Sequence, residues 1–113
     1  MKKSDQKILA AVPIKIKKKI EKYLLELKKH RIPLKEAILF GSYANGTFQE
    51  WSDIDIALVS EIFKGNRIKD KDKIRKITLS VGSDIEVLPF SPKDFNPENP
   101  LVKEILDTGN RLI

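Results

Sequence analysis

The sequence contains no cysteine, so disulfides and thiolate metal sites are excluded. It has a single histidine, His30, which removes any site built from several imidazoles. A metal bound here would take oxygen ligands, the chemistry of magnesium, manganese or calcium. No apolar run is long enough to span a membrane. The lysine-rich N-terminus is not followed by the apolar segment and small-residue cleavage site of a signal peptide. These absences predict a cytoplasmic protein with no membrane segment. Aromatic residues are few, at 7%, and none is interleaved with the basic stretches as base stacking would require.

What is present suits one domain of 113 residues. Hydrophobic residues make up 41% and charged residues 34%, enough for a modest core under a charged surface and too apolar for a disordered chain. Much of the formal net charge of +6 comes from Lys15 to Lys29 and from Lys64 to Lys76. Without aromatic partners these lysines read as solvated helix faces, with nucleic acid left open as a partner class.

The periodicities predict an α+β fold, a small mixed sheet flanked by helices. Residues 1–11 read as a short helical lead-in. Ile16, Ile20, Tyr23, Leu24 and Leu27 recur at helical spacing, predicting an amphipathic helix from Ile14 to His30. His30 then sits at the helix end, as a terminus-stabilising or exposed residue and not a catalyst. Glu36 to Phe40 is a short apolar strand stopped by Gly41. Asp53 to Ser60 alternates with period two and reads as a second strand. A helix follows over Lys69 to Val81, then a third strand over Asp84 to Phe90. Pro100 opens a last helix, Leu101 to Thr108, and Arg111 to Ile113 forms a terminal strand. We expect one domain over 1–113, with an N-terminal helical segment at 1–33 and the core of the domain at 34–113.

The chemistry concentrates in Phe40-Gly41-Ser42-Tyr43-Ala44-Asn45-Gly46 and in Trp51-Ser52-Asp53-Ile54-Asp55-Ile56. Gly41 allows a tight turn and close approach of a ligand. Ser42 offers a hydroxyl and an N–H at a helix start, where anions are favoured. Residues two apart on a strand share a face, so Asp53 and Asp55 place two carboxylates roughly 6–7 Å apart at the backbone. Such a pair repels unless a cation lies between them. Magnesium fits, since it is held by a few carboxylates together with substrate phosphates. Asp84 and Glu86 on the third strand could each add a further carboxylate. Trp51 is expected in the core, with a lid over a nucleotide and an interface anchor as the alternatives.

Gly41-Ser42, Gly46 and Ser52-Asp53-Ile54-Asp55 together resemble the signature of the DNA polymerase β-like nucleotidyltransferase superfamily, in its minimal nucleotidyltransferase branch. Ile85-Glu86-Val87-Leu88-Pro89-Phe90-Ser91-Pro92 is similar to the branch's third acidic strand. Glu104-Ile105-Leu106-Asp107-Thr108-Gly109 is similar to its C-terminal stretch. The resemblance implies transfer of a nucleoside monophosphate, AMP from ATP, to a hydroxyl acceptor, with pyrophosphate leaving. It implies that Gly41 and Ser42 hold the triphosphate. Asp53 and Asp55 would bind two Mg2+ ions, and a third carboxylate would ligate one of them. Counting back from Ser91-Pro92, that third group is Glu86, with Asp84 as the alternative. The family usually has aspartate there, and Tyr43 stands where many relatives carry arginine. Members of the branch are often encoded beside a helical HEPN toxin and act as its antitoxin, some by adding AMP to a tyrosine of that partner. In so short a chain the acceptor pocket would be completed by the partner or by a second copy.

Overall fold

The computed structural model describes residues 12–113, and the expected lead-in at 1–11 lies outside the described residues. Helix α1 runs Ile14–Lys29 and is followed by strand β1, Glu36–Phe40. A one-turn helix α2, Ser42–Asn45, leads to strand β2, Ile54–Val59. Helix α3, Arg67–Val81, precedes strand β3, Ile85–Phe90. Helix α4, Pro100–Thr108, and the short strand β4, Asn110–Arg111, complete the chain. The result is the expected α+β fold. The element order follows the sequence reading, with ends displaced by a residue or two.

The sheet order is β3-β2-β1-β4. β1 pairs antiparallel with β2 and β4, whereas β2 and β3 run parallel across the α3 crossover. Each face carries its own core. On one face α1 and α3 bury Ile20, Tyr23, Leu27, Ile74 and Ile77 against Leu39, Ile54, Ile56, Leu58 and Val87. The Tyr23 hydroxyl meets Thr78 Oγ1 at 2.7 Å, tying α1 to α3. Burial pushes the Tyr23 phenol up to about 12, against the opposing pull of the Thr78 hydrogen bond, so it stays neutral.

On the other face α4 packs Val102 and Ile105 on Ile38, Ala57, Val59 and Phe90. This helix has only nine residues. Its core reaches Ala57 on β2 and the partly buried Leu88 on β3. One pleat nearer the strand starts, Asp55 is only half-buried and Glu86 is exposed. The uncovered end of this face is therefore where the carboxylates lie. Side chains alternate along a strand, so Asp55, Ala57 and Val59 point this way while Ile54, Ile56 and Leu58 point to the other core.

Helix ends follow their local chemistry. Asn66 accepts from the Lys69 N–H at 3.0 Å and starts α3 two residues before the expected Lys69. Asn99 caps α4, and Pro100 takes the first turn, where its missing N–H costs nothing. His30 Nδ1 lies 2.8 Å from the Glu26 carbonyl, the terminal role expected of it. Trp51 departs from expectation. It is 79% exposed, because it sits in the turn before β2 and not on a strand face.

Asp70 is the one buried carboxylate among the described residues and holds the β2–α3 connection to the helix. It accepts the Lys64 N–H at 3.0 and 3.1 Å and the Gly65 N–H at 3.0 Å, with the Lys73 ammonium at 3.2 Å. Burial alone would raise its pKa. The Lys64 N–H, the Lys73 ammonium and the Gly65 N–H outweigh that and hold it below the ordinary 3.8. Asp70→Ala leaves buried donors unmatched and is expected to lower unfolding free energy by about 1–3 kcal/mol. Urea titration of both proteins measures this. Because the folded pKa is depressed, the Asp70 contribution is full above pH 3.8 and lost as pH falls below it. The gap between the two proteins should therefore narrow on acidification.

Candidate active site

The site begins where β1 ends. Gly41 has φ 74°, a left-handed backbone that L side chains rarely adopt. A Cβ at this position would collide with Oδ2 of Asp55. Glycine is therefore required twice over, for the turn and for the close approach of the carboxylate. The register explains the proximity, since Phe40 on β1 pairs with Asp55 on β2.

After Gly41 the chain makes a single helical turn. Gly41 O accepts from the Ala44 and Asn45 N–H groups, and Ser42 O accepts from those of Gly46 and Thr47. The Ser42 and Tyr43 N–H groups open this turn and have no intrahelical acceptor. Gly46, at φ 83°, ends it. Tyr43 is buried and stacks on Phe48 with ring centroids 4.8 Å apart. Tyr43 thus serves as an apolar anchor of this turn. Ser52 shapes the next turn, since its Oγ accepts the Gln49 N–H at 2.7 Å. This turn delivers Asp53 immediately before β2.

β2 and β3 pair in parallel with Asp55 opposite Glu86. Adjacent strands lie about 4.8 Å apart, so these two carboxylates leave neighbouring points of the same face. The pKa of Asp55 is raised, first by burial and then by the charges of Asp53 and Glu86. The three acids thus share one electrostatic neighbourhood, and Gly41 and Ser42 border it. Asp84 does not join them. It lies just before β3, and Lys19 of α1 donates to both its carboxylate oxygens, at 3.1 and 3.0 Å. Asp84 thus serves the α1 side of the sheet, which leaves Glu86 as the third carboxylate of this face.

The donor chemistry fits a hard divalent cation, being oxygen only and anionic enough to disfavour ionised Asp55. No three such side chains among the described residues are yet gathered into a metal cage. Glu86 is instead engaged by Lys71, whose Nζ donates to Glu86 Oε1 at 2.9 Å. The sequence carried no signal for Lys71. It lies fifteen positions from Glu86 on a helix rich in lysine, and only the α3–β3 packing brings the two together.

Two outcomes test this arrangement. Gly41→Ala must strain the backbone and displace Asp55, and should lose at least about 1–2 kcal/mol of stability, read by chemical denaturation. For Asp55 the folded pKa lies above the ordinary 3.8. The folded protein therefore binds more protons than the unfolded chain just above pH 3.8, and stability falls as pH rises through that window. Asp55→Asn removes this loss. In the presence of EDTA it should melt above the parent at pH 7, the difference vanishing below pH 3.8.

Comparison with known proteins bears on the family and the fold. Residues 17–110 match the family described as nucleotidyltransferase domain. One candidate protein adenylyltransferase of Methanocaldococcus jannaschii is 37% identical over 82 residues, covering 67% of this chain and 55% of the relative. A second from the same organism is 39% identical over 80 residues, covering 70% of this chain and 77% of the relative. The chain thus spans about half of the first relative. Among solved structures, the MntA-HpeT toxin–antitoxin, crystallised with two aspartates replaced by glutamate, superposes with a TM-score of 0.57 at 22% identity. That match covers 82% of this chain and 71% of the other. A candidate nucleotidyltransferase of Sulfolobus solfataricus gives 0.50 at 22% identity, covering 97% and 91%. At such identities the structures establish the fold. With the family match spanning most of its length, the chain belongs to the nucleotidyltransferase domain family.

Proposed function

We propose that the protein transfers AMP from ATP to a hydroxyl of a partner protein. In this reading it is the antitoxin of a toxin–antitoxin pair and modifies a tyrosine of a helical, HEPN-type toxin. The observation that carries the reading is the contact of the Gly41 backbone with Asp55, which sets the glycine-led turn against the acidic strand. The relatives named as candidate protein adenylyltransferases support AMP and a protein acceptor. The toxin–antitoxin structure supports a partner of that kind.

In this mechanism the Ser42 hydroxyl and the free N–H groups of the Gly41–Tyr43 turn seat phosphate oxygens of the nucleotide. Asp53, Asp55 and Glu86 would hold divalent cations, Mg2+ in the first instance and two in number. Bound there, such ions neutralise phosphate charge and favour in-line displacement. The acceptor oxygen bonds to the α-phosphorus, the bond to pyrophosphate breaks, and the hydroxyl proton passes to a carboxylate. Glu86, at the exposed edge of the face, is the group that an incoming acceptor meets first. Trp51, exposed beside Asp53, is placed to contact the nucleotide or the partner.

A second reading is that the chain neutralises its partner by contact and catalyses weakly. The engagement of Glu86 by Lys71 favours it. One experiment separates the two. The protein is incubated with radiolabelled ATP, Mg2+ and the helical protein encoded beside it. Transfer of label that falls at least about 100-fold with Asp53→Asn or Asp55→Asn supports catalysis. Neutralisation by these variants without any label would overturn the enzymatic reading.

A further inference from the structure

Glu86 belongs by register with Asp55, yet its side chain is engaged elsewhere. Lys71 stands on α3, whose Ile74 and Ile77 pack on the opposite face of the sheet. β3 is an edge strand, so no further strand blocks the way around it. The Lys71 side chain reaches past that open edge to Glu86 Oε1 at 2.9 Å.

We propose that Lys71 is a positioning residue of the site: an internal cation that holds Glu86 out of the carboxylate set until a divalent cation displaces it. The proposal rests on the metal-binding reading given above.

Three features make the pair exchangeable. Its side chains are 36% and 58% exposed, and exposed ion pairs contribute little to stability. The pair of Lys73 with Asp70 differs, because that carboxylate is 1% exposed and bound by further N–H groups. Next, a groove of about 220 Å3, lined by Lys71, Ile74, Thr78 and Val87 among others, adjoins the pair and gives the ammonium room to withdraw. Lastly, glutamate has one methylene more than aspartate. Rotation about its own bonds carries the carboxylate from the strand edge towards Asp55 with no movement of the backbone.

The test is Mn2+ binding to the full chain by titration calorimetry, without nucleotide. Lys71→Met should bind Mn2+ about two- to fivefold more tightly than the parent, the range set by an exposed ion pair. Lys71→Gln should do the same, and Lys71→Arg should return to the parent affinity. In a Glu86→Asp background, where the shorter side chain no longer reaches α3, Lys71→Met should have no effect. Circular dichroism confirms that each variant is folded. If Asp55→Asn abolishes binding while Lys71→Met and Lys71→Gln bind like the parent or more weakly, the carboxylate site stands and the role of Lys71 is overturned. If Asp55→Asn binds Mn2+ as well as the parent, the metal-site reading itself falls, and this proposal with it.

Discussion

Asp55 lies against the bare backbone of Gly41 and beside Glu86 on the next strand, and the site depends on both contacts. The first requires β1 and β2 to pair so that Phe40 meets Asp55. The second requires the parallel pairing of β2 and β3, and hence the α3 crossover between them. A one-residue slip of either strand would turn the carboxylate to the opposite face, among Ile54 and Ile56. The two apolar cores guard against that slip, because it would also expose every residue they bury. Packing at some distance from the site thereby holds the carboxylates in register.

Coverage of the sheet decides where the site opens. α1 and α3 bury the length of one face, from Ile54 to Leu58 on β2. α4 is shorter and covers only the far half of the other, around Ala57, Val59 and Phe90. A longer α4 would bury Asp55 and Glu86 under apolar side chains, where ionised carboxylates without partners are strongly disfavoured. The nine-residue helix leaves Asp55 half-buried and Glu86 exposed, with the Gly41 turn against Asp55.

Two acids with shifted pKa values among the described residues illustrate opposite uses of a carboxylate. Asp70 is buried, yet two backbone N–H groups and an ammonium satisfy it, so its charge stabilises the β2–α3 connection. Asp55 is less buried but surrounded by like charge, so its ionisation is disfavoured in the free protein. The first is structural in its chemistry. The second is an arrangement that a bound cation would relieve, in keeping with perturbed acids gathering at functional sites.

The pattern of residues along the chain was enough to locate most elements and to single out the turn and the carboxylates that the fold brings close together. Helical spacing from Ile16 to Leu27, period two from Asp53 to Val59 and glycine after Phe40 are local signals, and each depends on physics acting over a few residues. They determined the α+β class and the turn at Gly41-Ser42, and they set Asp53 and Asp55 two residues apart at the start of β2. Tertiary structure alone decided three matters. Asp84 and Glu86 are two residues apart and chemically alike, and their roles diverge because Lys19 of α1 engages one while β2 pairs with the other. Trp51 looked like a core residue by type, but the turn at Gln49–Ser52 leaves it in solvent. Lys71 is one lysine among many in the sequence. It is distinguished only by the packing of α3 on the edge strand, which places its ammonium against Glu86. Local periodicity determines which way a side chain points from its own element, whereas the partner it meets depends on contacts between residues far apart in the chain.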